Sequence, residues 1–365
     1  MGGPCVNFLR FVIQFQLILL ALAQKQTLRT NSGNLAIFAF GDSFVDPGNN
    51  NYIRTISKAN FPPYGIDFEN QIPTGRFTNG RLVTDYAASY AGIKDYVPPY
   101  LDRNLSMEEL LTGVSFASAG SGYDPLTPTL TGGVISMPKQ IDHFREYKSR
   151  IETQIGKERT EALIKNAVYV ISAGSNDFLF NYFWVSGIRR LSYSLPRYYH
   201  LLMQQLQHFL QDLLDLGAGN IVMMGLPPLG CFPLVITLKS NPINGFLERQ
   251  CVTRISDAAQ GFNQIAKQKC KEMERVDSQI YYVSLYESYM DIFQDPKKFG
   301  FDKADTSCCG TGILEVSIFC NRRSRLCPNV SDHVFFDSLH PTERTYSLLF
   351  EALAPTIDLI LQGKQ

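Results

Sequence analysis

Four short apolar runs, three of them ending at a glycine, constrain this chain more than any other feature. Residues 35–40 run into Gly41, 168–173 into Gly174 and 221–224 into Gly225, and 280–285 form a fourth run. Continuous apolar stretches of this length suit strands buried on both faces. A weaker strand candidate covers 113–117. Helical stripes lie between the runs. Leu202, Leu206, Phe209, Leu213 and Leu216 recur at steps of 4, 3, 4 and 3, which is one helix face, and Gly217 stands where a cap is expected. Ile255, Ala258, Phe262, Ile265 and Ala266 make a second stripe. Ile141, Phe144, Tyr147 and Ile151, preceded by Pro138, make a third. A last helix is expected to begin near Pro341, a favoured first-turn residue, and Pro355 to kink or end it. Strand–helix alternation predicts three α/β/α layers around a mostly parallel, roughly five-stranded sheet. No repeat or linker-like stretch interrupts it, so one domain is expected over 24–365.

The first residues read differently. Arg10 is the only charged side chain before Lys25, and an apolar run over 11–23 ends Ala21-Leu22-Ala23. This is the pattern of a secretory signal peptide, residues 1–23, cleaved after Ala23. Its strongly apolar part is short for ~30 Å of hydrocarbon, and no later stretch reaches ~18 uninterrupted apolar residues. We therefore expect a secreted, extracellular protein with no stable transmembrane anchor.

Secretion changes how the cysteines read. Cys5 leaves with the signal, and Cys231, Cys251, Cys270, Cys308, Cys309, Cys320 and Cys327 remain. Zinc competes for the cluster from Cys308 to Cys327, but no C-x-x-C pair occurs and an oxidising route favours disulfides. Cys270, on the apolar face of a predicted helix, is the candidate free thiol; fifteen connectivities stay open for the other six. Asn104 and Asn329 each begin an N-x-S sequon and are the expected N-glycosylation sites. Lys+Arg and Asp+Glu balance at 34 each, without the basic excess of a nucleic-acid binder. An apolar content of 45% excludes disorder over most of the length.

In open parallel sheets, ligands bind beyond the carboxyl ends of the strands. The sequences found there are Gly41-Asp42-Ser43-Phe44-Val45-Asp46-Pro47-Gly48-Asn49-Asn50-Asn51, Ser118-Ala119-Gly120-Ser121-Gly122, Gly174-Ser175-Asn176-Asp177 and Gly225-Leu226-Pro227-Pro228-Leu229-Gly230-Cys231. None is a P-loop or a G-x-G-x-x-G opening a helix, which argues against nucleotide binding. A serine nucleophile needs a base, an orienting carboxylate and oxyanion donors. Of the five histidines, His143, His200 and His208 sit on predicted helices, and His333 follows Asp332, whose side chain should point away. His340 follows Asp337 by three residues, a step that can bring the two side chains together and leave the second ring nitrogen for Ser43.

Taken in order, these blocks resemble the plant-type GDSL esterase/lipases of the SGNH hydrolase superfamily. The resemblance runs from residue 38 to 343 and beyond, with catalytic blocks over about 35–345. Phe40-Gly41-Asp42-Ser43 with Asp46, Gly48, Asn49 and Asn50 matches the nucleophile block. Gly113-Val114-Ser115-Phe116-Ala117-Ser118-Ala119-Gly120-Ser121-Gly122 matches the oxyanion-glycine block, and Gly174-Ser175-Asn176-Asp177 the oxyanion-asparagine block. Asp337-Ser338-Leu339-His340-Pro341 matches the acid–base block. The Gly225–Cys231 segment and Cys308-Cys309-Gly310-Thr311-Gly312 match further plant-branch signatures. The resemblance implies a flavodoxin-like SGNH fold. It implies Ser43 as nucleophile, His340 as general base and then acid, and Asp337 as the group orienting His340. The Ser43 and Gly120 N–H groups and the Asn176 amide would be the oxyanion donors, with no metal or organic cofactor. The chain departs from the common pattern at Ser115, where Asn is frequent, at Ala119, where Gly is frequent, and at Phe44, where the family name spells Leu.

The reading is a secreted serine esterase acting on acyl or lipid esters. Two alternatives stand beside it: an acyltransferase using the same acyl-enzyme, and a non-catalytic surface or binding protein of the same fold. Asp42 and Asp46 are expected to bond loop backbone, Asn49–Asn51 to form a turn or cap, and Pro227-Pro228 to shape the site wall. Trp184, Phe178, Phe180, Tyr182 and Phe183 have two roles open, acyl groove or core.

Overall fold

The computed structural model describes residues 35–183, 187–239 and 249–363. Four strands, β1 (Ile37–Gly41), β2 (Val168–Ser172), β3 (Asn220–Met224) and β4 (Gln279–Val283), form a parallel sheet in the order β1-β2-β3-β4. The weak candidate 113–117 lies along the free edge of β1. Ala39 N–H donates to Val114 O and Phe116 N–H to Ala39 O, but full pairing is reached only at Ala39–Ser115. Both ends of that ladder are irregular. Gly113 adopts φ +99 against the Ile37 backbone, and the Gly41 carbonyl is shared between Ser118 N–H (3.0 Å) and the Gln140 side chain (2.9 Å), which also accepts from Gly41 N–H (2.8 Å). Counting this segment second in chain order, the order is 2-1-3-4-5, and the reversal falls at β1, where a doubly wound sheet opens a crevice at its carboxyl edge.

The principal helices are α1 (Val83–Tyr90), α2 (Met137–Ile155), α3 (Lys157–Asn166), α4 (Leu195–Asp215), α5 (Thr253–Met273), α6 (Tyr286–Gln294) and α7 (Glu343–Gln362). Phe38 and Phe40 point from β1 into an aromatic layer with Phe144 and Tyr147 of α2 and Phe209 of α4, and α5 packs on α4. Elsewhere α7 packs on α1 and β4. The result is the expected three-layer α/β/α sandwich. The long helices α2 and α4 each combine an apolar stripe with a terminal signal. Ser136 caps α2, Gly217 follows α4 at φ +104, and Ile141, Phe144, Tyr147 and Ile151 are all buried.

Several expectations change. β4 is partly exposed at Tyr281 and Tyr282, as an edge strand, although the Tyr282 hydroxyl itself is buried. Ile265 lies off the α5 stripe, 40% exposed. Pro341 precedes the last helix, which Thr342 caps by accepting from Thr345 N–H. That helix runs through Pro355; burial of Leu353, Ile357 and Ile360 offsets the ~3 kcal/mol an interior proline costs. A small parallel sheet, β5 (Lys303–Ser307) with β6 (His333–Phe335), was not expected. Disulfides join Cys231–Cys251, Cys308–Cys327 and Cys309–Cys320, so the cysteine cluster is covalently paired, and Cys270 is a buried free thiol on α5. The expected signal peptide and its cleavage site lie outside the described residues. Among those residues, no helix is long and apolar enough to cross a membrane.

Candidate active site

Gly41 ends β1 at φ +128, where a Cβ would overlap the Ser172 carbonyl of β2. The chain therefore turns sharply, and Ser43 emerges half-buried at the carboxyl edge of the sheet. Phe44 anchors the turn against Tyr346 of α7. The loop is tied inward by side chains. Asp46 Oδ1 accepts from the Gly48 and Asn49 N–H groups, and its Oδ2 accepts from Ala119 N–H at 2.8 Å. Asn49 Nδ2 donates to the Ser115 and Ala117 carbonyls, and Asn50 Nδ2 to the Ala119 carbonyl. These bonds lash the 115–119 segment to the nucleophile loop. The expectation of a turn for the asparagines is correct, Asn49–Tyr52 being a 3₁₀ turn, but their side chains do more than cap it. The departures are accommodated: Ser115 Oγ donates to the Val45 carbonyl, and Ala119 takes part through its backbone.

The last block folds as a tight bend between β6 and α7. Asp337 is fully buried, and its Oδ1 accepts from the Leu339 and His340 N–H groups at 2.9 and 2.8 Å. The same carboxylate meets His340 Nδ1 at 2.7 Å. A carboxylate only accepts, so Nδ1 carries the proton and Nε2 is left to accept from Ser43 O–H, 2.9 Å away. Phe77 covers the imidazole face, ring centroids 4.7 Å apart. The hydrogen-bonded chain from Ser43 through His340 to Asp337 has the geometry required to raise the nucleophilicity of a serine.

Gly120 stands at φ +89, with its carbonyl held by Thr131 Oγ1 at 2.7 Å. Asn176 follows β2 and Gly174, and its Nδ2 donates one N–H to the Ser121 carbonyl at 2.8 Å, leaving the second for the cavity it lines. Among the described residues, nothing accepts from the Ser43 or Gly120 N–H groups. Asp177 receives Tyr123 N–H, Asp124 N–H and Thr127 O–H, which fixes the 121–127 loop. Burial pushes three carboxyls around these loops upward: Asp42 to about 7, Asp46 to about 6 and Asp177 to about 7. Asp42 accepts from Phe44 N–H, in the backbone-bonding role expected of it.

Ser43, Gly120, Asn176 and His340 open on one cavity of about 280 Å³. Phe77, Phe180, Leu234, Val316 and Leu339 form much of its wall, and among the described residues no charged Asp, Glu, Lys or Arg side chain lines it. Ile56, Leu130, Leu314, Ile318 and Phe319 line it too and remain exposed. Of the described members of the aromatic group, Phe180 reaches the cavity and Phe178, Tyr182 and Phe183 are core; Trp184 lies outside the described residues. Pro227 and Pro228 are buried without lining it, and the wall there comes from Leu234. His143 lies on α2, His200 and His208 lie on α4, and His333 begins β6; none lines the cavity. Asn104 and Asn329 are exposed. Among the described residues, no three His, Cys, Asp or Glu side chains are grouped to hold a metal ion. Tyr64, Phe77, Gln140 and the 314–319 wall escaped the sequence reading. They belong to irregular loops, or to contacts with residues about a hundred or more positions away, that no periodicity marks.

A sequence model of the GDSL-like Lipase/Acylhydrolase family matches residues 37–353. The chain is similar to GDSL esterase/lipase At5g45960 of Arabidopsis thaliana, 50% identical over 89% of this chain and 87% of that protein. It is 43% identical to GDSL esterase/lipase At1g20120 of the same plant, over 88% and 80% respectively. The chain belongs to the GDSL-like lipase/acylhydrolase family and is a carboxylic ester hydrolase.

Proposed function

We propose that the protein is a secreted serine esterase that cleaves esters of apolar acids through an acyl–Ser43 intermediate. The observation that carries the reading is the unbroken chain from Ser43 Oγ to His340 Nε2 (2.9 Å) and from His340 Nδ1 to Asp337 (2.7 Å), at the mouth of an uncharged apolar cavity. His340 Nε2 takes the Ser43 proton as Oγ attacks the ester carbonyl carbon. The negative charge on the former carbonyl oxygen is met by the Ser43 and Gly120 N–H groups and the free Asn176 amide N–H. The imidazolium returns its proton to the departing alkoxide, and the alcohol leaves. Water then gives a proton to His340 and attacks the acyl carbon. Ser43 is released and reprotonated, and the acid departs. Asp337 holds the tautomer and stabilises the imidazolium throughout.

The test is hydrolysis of a panel of uncharged acyl esters by the wild-type protein and by Ser43→Ala. The reading expects turnover by the first and none by the second. Retained turnover in Ser43→Ala would place the chemistry elsewhere. An added alcohol capturing the acyl group in preference to water would favour the transferase reading.

Secretion is supported by the residue 1–23 pattern, three disulfides and two exposed sequons. Protein from a eukaryotic secretory host should begin at Gln24 and shift on a gel after glycosidase treatment. An intact Met1 or an unshifted band would count against it.

A further inference from the structure

We infer that Tyr64 is a positioning residue, whose single hydroxyl ties the carboxylate of Asp337 to the wall of the substrate cavity. Tyr64 is 1% exposed, clasped by Phe61, Phe77 and Phe336. Its O–H donates to Asp337 Oδ2 at 2.6 Å. The direction is fixed from the other side, because Ser317 N–H donates to the Tyr64 hydroxyl oxygen at 2.9 Å. The hydroxyl proton is therefore committed to Asp337. Burial and the facing carboxylate hold the phenol well above its ordinary range, so it stays a donor.

Ser317 is no ordinary neighbour. It adopts φ +52, uncommon for a side-chain-bearing residue, and its Oγ donates to the Lys58 carbonyl at 3.0 Å. It sits within the cavity-lining residues Leu314, Val316, Ile318 and Phe319, in the segment closed by the Cys309–Cys320 disulfide. One oxygen thus joins that wall to the triad. A donor to Oδ2 spreads the carboxylate charge and lowers its pull on the His340 proton. Without it, Asp337 would favour the imidazolium more strongly, and His340 would lose its basic form at a higher pH.

This inference rests on the esterase reading. The experiment is the pH profile of kcat/KM on a soluble ester for wild type, Tyr64→Phe and protein carrying 3-fluorotyrosine at position 64. Loss of one hydrogen bond to a charged group should lower kcat about 10–100-fold, with KM little changed. The acid limb should move up by ~0.3 pH unit or more in Tyr64→Phe. It should move down with the more acidic fluorinated phenol, which also serves if Tyr64→Phe fails to fold. An unmoved acid limb in the folded proteins, even with a lowered melting temperature, would make the hydroxyl a packing element and overturn the inference. Active wild type with that result overturns this inference alone. Wild type inactive on every ester would overturn the esterase reading and this inference with it.

Discussion

Replacing Asn176 with alanine separates the oxyanion reading from a purely structural one. Asn176 Nδ2 has two N–H groups. One is used on the Ser121 carbonyl at 2.8 Å; the other is proposed to meet charge that appears on the substrate oxygen only as Ser43 attacks. Loss of one such donor typically lowers kcat by ~10²–10³, about 3–4 kcal/mol of transition-state stabilisation. Because the ground-state ester carbonyl carries little charge, KM should barely move. Loss of the first N–H leaves the Ser121 carbonyl without that donor, beside Gly120, and should lower stability by about 1–3 kcal/mol. Asn176→Asp should be worse for kcat, since a carboxylate would repel the oxyanion. Steady-state kinetics on a soluble ester give kcat and KM, and urea unfolding gives the stability term. A folded Asn176→Ala protein that loses stability but keeps kcat within threefold would make Asn176 only a brace for Ser121, and the oxyanion would have to be held elsewhere.

Two further outcomes follow from the nucleophile loop. Asp42 has a folded pKa of about 7 against an ordinary 3.8, raised chiefly by burial; the folded state therefore holds the proton more tightly than the unfolded chain, and stability falls as pH rises through that window. Asp42→Asn keeps the acceptor for Phe44 N–H without the charge, so urea unfolding should find it more stable than wild type at pH ~8, by ~4 kcal/mol at most, with the gain vanishing near pH ~4; no gain at the higher pH, or one that persists on acidification, would refute the argument. Gly41→Ala should give little soluble protein, because both its φ of +128 and the Ser172 carbonyl exclude a Cβ; a folded variant of normal melting temperature would show that the turn can relax.

What the sequence made legible was whatever is local. Ser43, Gly120, Asn176 and the Asp337–His340 pair each sit in one contiguous block after a strand or before a helix, so strand ends and glycines marked them directly. The stripes of α2, α4 and α5 were legible because burial imposes a helical period on them. Other features depend on partners far away in the chain. Tyr64 meets Asp337 across 273 positions, and Gln140 closes the end of β1 across 99. β5 reads Lys-Ala-Asp-Thr-Ser and is only partly buried, so it carries no apolar signature and exists because β6 lies beside it. Pro355 inside α7 shows packing overriding propensity, which no local rule anticipates.

The central claim is that one serine carries the acyl group. It is tested most directly by mixing the protein with a fluorophosphonate and locating the adduct by peptide mass spectrometry, beside Ser43→Ala and His340→Ala. The account expects a single adduct on Ser43, absent from Ser43→Ala and formed far more slowly in His340→Ala, where no base takes the Oγ proton. An adduct on another residue, or equal labelling of folded Ser43→Ala, would contradict it.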